Sequence, residues 1–383
     1  MRNSLTLYVQ RITGYVLILF VFTAFLHKFI ANDLPLVGKL NDQLVFPVLQ
    51  DYSYSIGLRK IDPRVNINDI EPVIPAFISF SPIQMDSRNT VVPPGKAGHW
   101  LGTDHLGRDV AAGLISGFWI ALQVGVFSIA LAFVIALFMG GSAAYFRKFP
   151  LYLNTIQIFG GCMVLLIGGF YLVNEWNQIG IGIRLFYFSA TLLVTYAVIR
   201  WAGRFKLRKY NTQLSLVVNK LIEVRESIPS LFLVLGLVVL FERSSVWNVV
   251  IIIGLIGWSN LARYIRAEMM SVMEENYIKA VLISGISRWR ILVHHILPNA
   301  LDSVIALVAF SIASAILLEA SLSFLGIGIP IEQPTWGSLL SAARRTNAWW
   351  LAVFPGFCIF MIVTSLNIWA GRIQNFLDPR LRS

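Results

Sequence analysis

The chain has 383 residues, of which 56% are hydrophobic and only 13% are charged, and its formal net charge is +11. An ordinary soluble domain carries roughly a quarter charged residues, so this chain cannot cover its own surface with polar side chains. The composition therefore excludes a soluble globular protein. The positive charge does not indicate a nucleic-acid partner, because the Lys and Arg residues lie between successive apolar runs rather than in one stripe.

The apolar runs predict an all-α fold, a polytopic membrane bundle of helices. A helix needs about 20 mostly apolar residues to cross a bilayer. Eight runs are candidate spans, at residues 12–30, 118–140, 151–173, 185–202, 228–241, 246–262, 301–325 and 351–370. The fifth run is short and is expected to extend back past Arg225 and Lys220, whose long side chains can reach the interface. Residues 1–30 are interpreted as a retained anchor, since no small-residue cleavage site follows them.

The distribution of basic residues predicts the orientation of the spans. With the N-terminus on the inner side, most Lys and Arg residues fall in inner segments, and the short outer loops hold only Arg184, Arg243, Arg344 and Arg345. Both termini are therefore expected on the cytoplasmic side. Residues 31–117 then form a long outer loop that carries eight of the fifteen prolines. Proline interrupts helices and central strands, so we expect an extracytoplasmic cap of turns and short strands.

The sequence carries no motif for a chemical reaction or an energy source of its own. A phosphate-binding loop ends in Gly-Lys followed by Ser or Thr, but Lys39 and Lys96 of the two Gly-Lys pairs are followed by Leu and Ala. The histidines show no zinc-ligand spacing, and the two cysteines lie in apolar runs, as small buried side chains do. We therefore expect a chain that is not an enzyme and binds no metal or cofactor itself.

Residues 275–299 form a polar elbow in this apolar chain. Apolar residues at helical spacing predict two short helices, separated by a tight turn at Gly285 and followed by a new helix at Pro298. The apolar positions are Tyr277, Ile278, Val281, Leu282, Trp289, Leu292 and Ile296. The pattern alone leaves two interpretations open. The elbow is either an amphipathic linker on anionic lipid headgroups or a docking surface for a cytosolic partner.

Four segments, in this order, carry a resemblance to a known family. They are HWLGTDHLGRDV (99–110), the elbow with Lys279-Ala280-Val281, Gly285 and Leu297-Pro298, EASLSFLGIG (319–328) followed by PTWGSLL (334–340), and LDPRLR (377–382). Together they resemble the inner-membrane permease subunits of ATP-binding-cassette importers, in the dipeptide/oligopeptide/nickel branch. The match covers about residues 95–145 and 215–383. It implies a MetI-like permease core within a transmembrane domain of residues 118–383.

The resemblance implies that the elbow is the loop that couples the permease to its ATPase. The corresponding positions here are Tyr277, Lys279, Ala280, Gly285, Trp289, Leu297 and Pro298. Lys279 and Val281 depart from the acid and the alanine that the family usually carries. We therefore expect the ATPase to contact this same region of the chain, but through side chains that differ from those usual in the family.

Residues 99–110 allow a structural and a functional interpretation. By residue type, Gly102 and Gly107 take positive φ in a tight turn, and Thr103 and Asp104 cap the following helix. Arg108 and Asp109 are expected to pair with each other or to anchor the loop. The family architecture suggests instead that this segment helps to seat a solute-binding protein.

Small residues at four-residue spacing indicate close helix packing. In the second span, from Gly113 to Gly140, this spacing favours plain bundle packing over a role in translocation. In the seventh span one stripe is a candidate for the translocation path, namely Ser311, Ala315, Glu319 and Ser323. A carboxylate at mid-bilayer costs on the order of 3 kcal/mol, so Glu319 is expected to face a cavity, a gate or a partner, near the outer end where water reaches it.

Residues 151–208 depart from the family pattern by inserting two further spans, expected to be peripheral or to pack on a partner. The implied partners are a second permease, two cytosolic ATPases that hold ATP and magnesium, an extracytoplasmic solute-binding protein and the bacterial inner membrane. The altered Lys279 and the insertion favour an alternative, a membrane scaffold or assembly subunit without transport. An ion-coupled transporter is disfavoured because few acids lie in the spans. The substrate stays open between a peptide, a metal chelate and a sugar.

Overall fold

A computed structural model describes residues 2–40, 43–55, 71–150, 152–154, 156–157, 160–161, 163–164, 181–202, 204, 209–211, 214–239, 241, 244–330 and 332–377. The chain divides into two compact units, residues 1–140 with 222–383, and residues 141–221. The described helices are α1 (Arg2–Phe25), α2 (His27–Ile30), α3 (Pro47–Ser55), α4 (Val110–Lys148), α5 (Ile181–Ala202), α6 (Leu214–Ser227), α7 (Ser230–Val238), α8 (Val246–Met273), α9 (Asn276–Ile283), α10 (Arg288–Ile291), α11 (Leu297–Phe324), α12 (Trp336–Thr346) and α13 (Trp350–Leu377).

Five stretches of helix in the described residues are long and apolar enough to cross a membrane. They are Tyr8–Phe25, Val110–Lys148, Val246–Met273, Arg288–Phe324 and Trp350–Phe376. These helices confirm five of the predicted spans as helices, although the first is broken because α1 ends at Phe25 and α2 begins at His27. The predicted span 185–202 lies within the 22-residue helix α5 (Ile181–Ala202). The predicted span 151–173 lies largely outside the described residues.

The predicted span 228–241 is wrong in its extent. The structure ends α6 at Ser227 and begins the nine-residue α7 at Ser230, with Pro229 as its N-cap residue. Proline disfavours helical backbone in the residue before it, so the chain turns at this point instead of continuing back through Arg225. The nine residues of α7 span only about 14 Å at 1.5 Å per residue, which is too short to cross a bilayer.

Close packing of the long helices explains the small residues of the second span. A Cβ at Gly140 would collide with the carbonyl oxygen of Ala262 in α8, and a Cβ at Gly125 would lie 3.1 Å from the Ile316 side chain in α11. The glycines therefore let α4 approach both neighbours, as packing in lipid requires.

The core of the larger unit forms where α1, α4, α11, α12 and α13 meet. The helix α11 packs on α8, α12 and α13, and α1 packs on α13. Apolar side chains from each of the five helices fill this region, among them Phe20, Leu114, Ile316, Trp336, Leu339 and Leu351. The core thus binds the short α12 to the membrane-length helices around it.

The region before α4 contains the turns and short strands that the prolines predict. A three-stranded antiparallel sheet has the order β2-β1-β3, with β1 (Val37–Leu40), β2 (Gln43–Val45) and β3 (Glu71–Ile74), and Gly38 of β1 lies opposite Val45. The helix α3 follows β2, which the sequence did not predict. In the smaller unit, β4 (Tyr152–Asn154) pairs antiparallel with β5 (Lys209–Asn211).

Candidate functional site

The elbow begins with the short amphipathic helix α9 and turns at Gly285, as the sequence predicts. Gly285 has φ +75, in the left-handed region that favours glycine. Ile278 is fully buried and anchors α9 to the bundle. The helix is otherwise largely exposed, including Lys279, Ala280 and Tyr277. Burial of part of the Tyr277 ring, helped by the nearby Glu275, raises the pKa of its hydroxyl.

The second half of the elbow differs from the prediction. Helical structure begins at Arg288 and runs through a π-helical turn, Leu292–Ile296, into α11, so Pro298 does not begin a new helix. The missing N–H of Pro298 falls directly after the π turn, where the regular helical hydrogen-bond pattern is already interrupted. The side-chain amide of Asn299 donates to the carbonyl oxygen of His295 (2.6 Å) and satisfies one carbonyl there.

The elbow exposes large apolar side chains next to basic ones. Trp289 is 69% exposed and Ile283 is 87% exposed, whereas Ile291 and Ile296 are buried. The exposed basic residues are Lys279, Arg288 and Arg290. Exposed apolar groups that lie beside cations suit a partner surface that is apolar and acidic, or a layer of anionic lipid.

Residues 99–110 fold into a buried polar cluster that holds the start of α4. His99 Nδ1 lies 2.8 Å from Asp109 Oδ2, and both side chains are almost fully buried. The other oxygen of Asp109 accepts from the backbone N–H of Ala112 (2.7 Å), so Asp109 caps α4. The prediction that Thr103 and Asp104 cap this helix is wrong, because their oxygens bind the loop itself.

The carboxylate of Asp104 organises the turn. One oxygen accepts from the backbone N–H groups of Leu106 (2.8 Å) and Arg108 (2.9 Å). The other carboxylate oxygen accepts from Arg108 Nε (2.8 Å) and Nη2 (2.7 Å), so that the guanidinium donates two hydrogen bonds to it. Of the two alternatives for Arg108 and Asp109, the structure shows the second, because each side chain holds the loop through other partners and the two do not pair with each other. Burial lowers the pKa of the neighbouring His105.

Two glycines and a threonine complete this cluster. Gly102 (φ +81) and Gly107 (φ +75) take positive φ, as predicted. The Thr103 hydroxyl accepts from Val92 N (2.8 Å) and donates to Asn89 O (2.6 Å). Because these side chains are satisfied inside the chain, the geometry favours the structural interpretation of this segment over direct contact with another protein.

Glu319 is buried at the junction of α11 and α12. Its carboxylate accepts from the Ser323 hydroxyl (2.8 Å) and has Thr335 as a second side-chain partner. Only 2% of Glu319 is exposed, so the expectation that water reaches it is wrong for this structure. Of the predicted stripe, Ala315, Glu319 and Ser323 face the protein interior, and Ser311 is half-buried.

The residues that bring α12 to this junction are Thr335, Ser338 and Trp336, whose roles were not predicted from the sequence. Thr335 and Ser338 form a reciprocal cap at the start of α12, and a Thr-x-x-Ser spacing is a variant of the capping box that a sequence reader can recognise. The buried Trp336 indole donates to the carbonyl oxygen of Leu114 (3.1 Å), and the Trp350 indole donates to the carbonyl oxygen of Thr103 (3.2 Å). These hydrogen bonds join α12 to α4 and α13 to the loop of residues 99–110.

Two remaining expectations concern other parts of the chain. Residues 378–383, which include most of the LDPRLR motif, lie outside the described residues. Across the residues that the structure describes, no group of three or more His, Cys, Asp or Glu side chains could hold a metal ion.

Comparison with known proteins relates the chain to membrane transport systems. Residues 198–383 match the family model described as binding-protein-dependent transport system inner membrane component. The sequence is 26% identical over 311 residues to a dipeptide transport system permease protein of Alkalihalophilus pseudofirmus, which covers 81% of each chain. It is 32% identical over 169 residues to an oligopeptide transport system permease protein of Haemophilus influenzae, which covers 44% of this chain and 54% of the relative. A chain of an inward-facing MetNI methionine ABC transporter matches 69% of this chain and 95% of its own, with 12% identity and a TM-score of 0.46.

Proposed function

We propose that this chain, whose residues 198–383 match the model of binding-protein-dependent transport system inner membrane components, forms half of the pathway by which an ATP-binding-cassette importer moves peptide-like solutes. It is a multi-pass inner membrane protein and the permease subunit, so ATP is hydrolysed on partner ATPases. We infer the class of solute from two relatives, which are permease proteins of a dipeptide and an oligopeptide transport system.

The elbow is the proposed contact with the ATPase. The observation that carries this assignment is that Trp289 and Ile283 are exposed while Ile278 and Ile291 anchor the same segment to the bundle. A rigidly anchored apolar surface suits repeated docking, because little side-chain freedom remains to be lost on binding. The basic side chains around it attract an acidic partner surface.

The arrangement in the membrane follows from this contact. Both termini and the elbow lie in the cytoplasm, and the sheet, residues 99–110 and α12 lie on the outer side. A second permease completes the pathway, and a solute-binding protein delivers the solute. ATP-driven closure of the ATPases would rock the spans between inward- and outward-facing states.

The permease core is of the MetI-like kind, with two additions. Residues 151–208 are proposed to be an inserted pair of transmembrane helices, and α5 is the described helix of that pair. The proline-rich residues 31–117 are proposed to be an extracytoplasmic cap, supported by the short sheet and turns. Ser311, the half-buried member of its stripe, is the one that we assign to the translocation path, because Ala315, Glu319 and Ser323 face the interior.

The experiment that tests the proposal combines purification with one matched pair of variants. The chain is purified from its native membrane, and its partners are identified by mass spectrometry. A permease and an ATPase in near-equal amounts are expected. Trp289→Ala should then weaken ATPase retention, whereas Trp349→Ala, at a tryptophan that is 58% exposed and lies on the outer side in the proposed orientation, should not.

Two results would contradict this function. If the wild-type chain is recovered without an ATPase, the scaffold interpretation takes its place. If the ATPase is recovered but equally well with both variants, the chain is still an importer subunit, and the elbow is a lipid-surface helix.

A further inference from the structure

A cavity of about 790 Å³ lies where α2 and the segment after it, the first part of α4, the start of α8 and the segment before α12 come together. Its volume falls within the roughly 300–1,000 Å³ typical of small-molecule sites. One face of α4 supplies its floor, with Ser116, Trp119, Ile120 and Gln123 at helical spacing. In the orientation proposed above, this cavity opens to the outer side of the membrane.

Two tryptophans line this cavity, and each packs against other aromatic rings. The Trp119 ring stacks on His27, with centroids 5.3 Å apart and an interplanar angle of 9°, and it also contacts Phe25 (5.7 Å). Trp247 packs against Phe127, with centroids 5.4 Å apart. The indoles are therefore held in place before any ligand arrives, which reduces the entropy cost of binding.

The cavity lining contains more acidic than basic side chains. Lys28 is paired with Asp51, with 2.8 Å between Nζ and Oδ2. Asp33 and Glu332 also line the cavity and are exposed. Within the described part of the chain neither of them has an ion-pair partner. The lining thus includes two carboxylates that have no ion-pair partner among the described residues, together with two indole rings.

This combination selects a ligand with an organic cation. A primary ammonium is attracted both by carboxylates and by the faces of indole rings. A metal ion is a poorer fit, because the described residues contain no cluster of three ligand side chains. Ser116 and Gln123 can hydrogen-bond the amide groups that lie next to the ammonium of a peptide.

We propose that this cavity binds the free amino end of a short peptide on its way into the translocation path. The inference rests on the proposed function for the class of solute, and it adds that the permease itself distinguishes one end of that solute. Selection of solute would then not be left entirely to the binding protein.

The test compares trialanine with N-acetyl-trialanine, which lacks the ammonium. Binding of each peptide to the full-length chain in lipid nanodiscs is measured by isothermal titration calorimetry. Wild-type chain is expected to bind trialanine about fivefold more tightly, equivalent to ~1 kcal/mol from two exposed charge contacts. In the double variant Asp33→Asn/Glu332→Gln this ratio should fall to about one.

The control is Asp302→Asn, which removes one exposed carboxylate outside the cavity and should keep the wild-type ratio. The inference is overturned if wild-type chain binds neither peptide, if it binds both equally, or if the double variant keeps the fivefold ratio. Uptake of trialanine by the whole importer in proteoliposomes separates the two proposals. Uptake without discrimination in the nanodisc assay refutes only the cavity, whereas absence of peptide uptake refutes the proposed function.

Discussion

Asp104→Ala is expected to destabilise the chain severely, although the residue lies outside the apolar core. The substitution removes an acceptor of four hydrogen bonds, all between 2.7 and 2.9 Å long, in a fully buried position. It also leaves the guanidinium of Arg108, which is 5% exposed, without its carboxylate. Breaking a buried pair by removing one partner costs about 3–5 kcal/mol. At roughly 2–4 °C per kcal/mol, the midpoint of thermal unfolding should fall by about 10 °C.

The assay is thermal unfolding of the purified chain in nanodiscs, followed by intrinsic tryptophan fluorescence. The double variant Asp104→Leu/Arg108→Met removes both charges, so it should recover the part of the lost stability that comes from the unpaired guanidinium, while the backbone N–H groups of Leu106 and Arg108 still lack their acceptor. Asp302→Asn serves as the control and should leave the midpoint within about 1 °C, as substitutions of exposed residues usually do. A single variant that unfolds like the wild type, or a double variant no more stable than the single one, would refute the reasoning.

Three further changes test other contacts. Thr335→Ala removes the cap of α12 and should lower the free energy of unfolding by about 1 kcal/mol, whereas Thr335→Ser should retain it; equal unfolding midpoints would contradict the capping role. Gly285 has φ +75, and no atom lies within 4 Å of a Cβ added there, so Gly285→Trp should insert normally but abolish ATPase coupling. Gly285→Asn tolerates this backbone and should keep coupling. Wild-type activity of the Trp variant would count against the role of the turn. Gly117→Leu collides with the Trp336 indole and should reduce the amount of folded chain recovered from membranes, while Gly113→Ala should not.

The sequence predicted the parts of this structure that depend on local patterns. Long apolar runs identified the helices of Val246–Met273 and Trp350–Leu377, and the lone glycine of the elbow identified the turn at Gly285. The positive φ of Gly102 and Gly107 was likewise predictable, since glycine without a Cβ adopts such a turn conformation more readily than other residues.

The errors arose where the outcome depends on distant partners. Asp104, Arg108 and Asp109 are all capable of capping or pairing, and only the folded loop shows that Asp109 contacts His99 while Asp104 takes Arg108. Glu319 was expected near water, but α12 covers it. The covering helix carries Trp336, Leu339 and Ala342 on one face, which predicts that it packs against something, but this pattern does not identify Glu319 as the residue that it covers.

The helix from Arg288 to Phe324, which is continuous through its π-helical turn, connects the elbow to the Glu319 junction. At 1.5 Å per residue, Trp289 lies about 45 Å along the axis from Glu319. A tilt of about 10° over that length displaces the far end by about 8 Å. The π-helical turn at Leu292–Ile296 lies close to the Trp289 end. A bend there would change how far the helix moves at the Glu319 junction without altering either end. We therefore expect substitutions in this one turn to change how far the pathway opens for each ATP consumed.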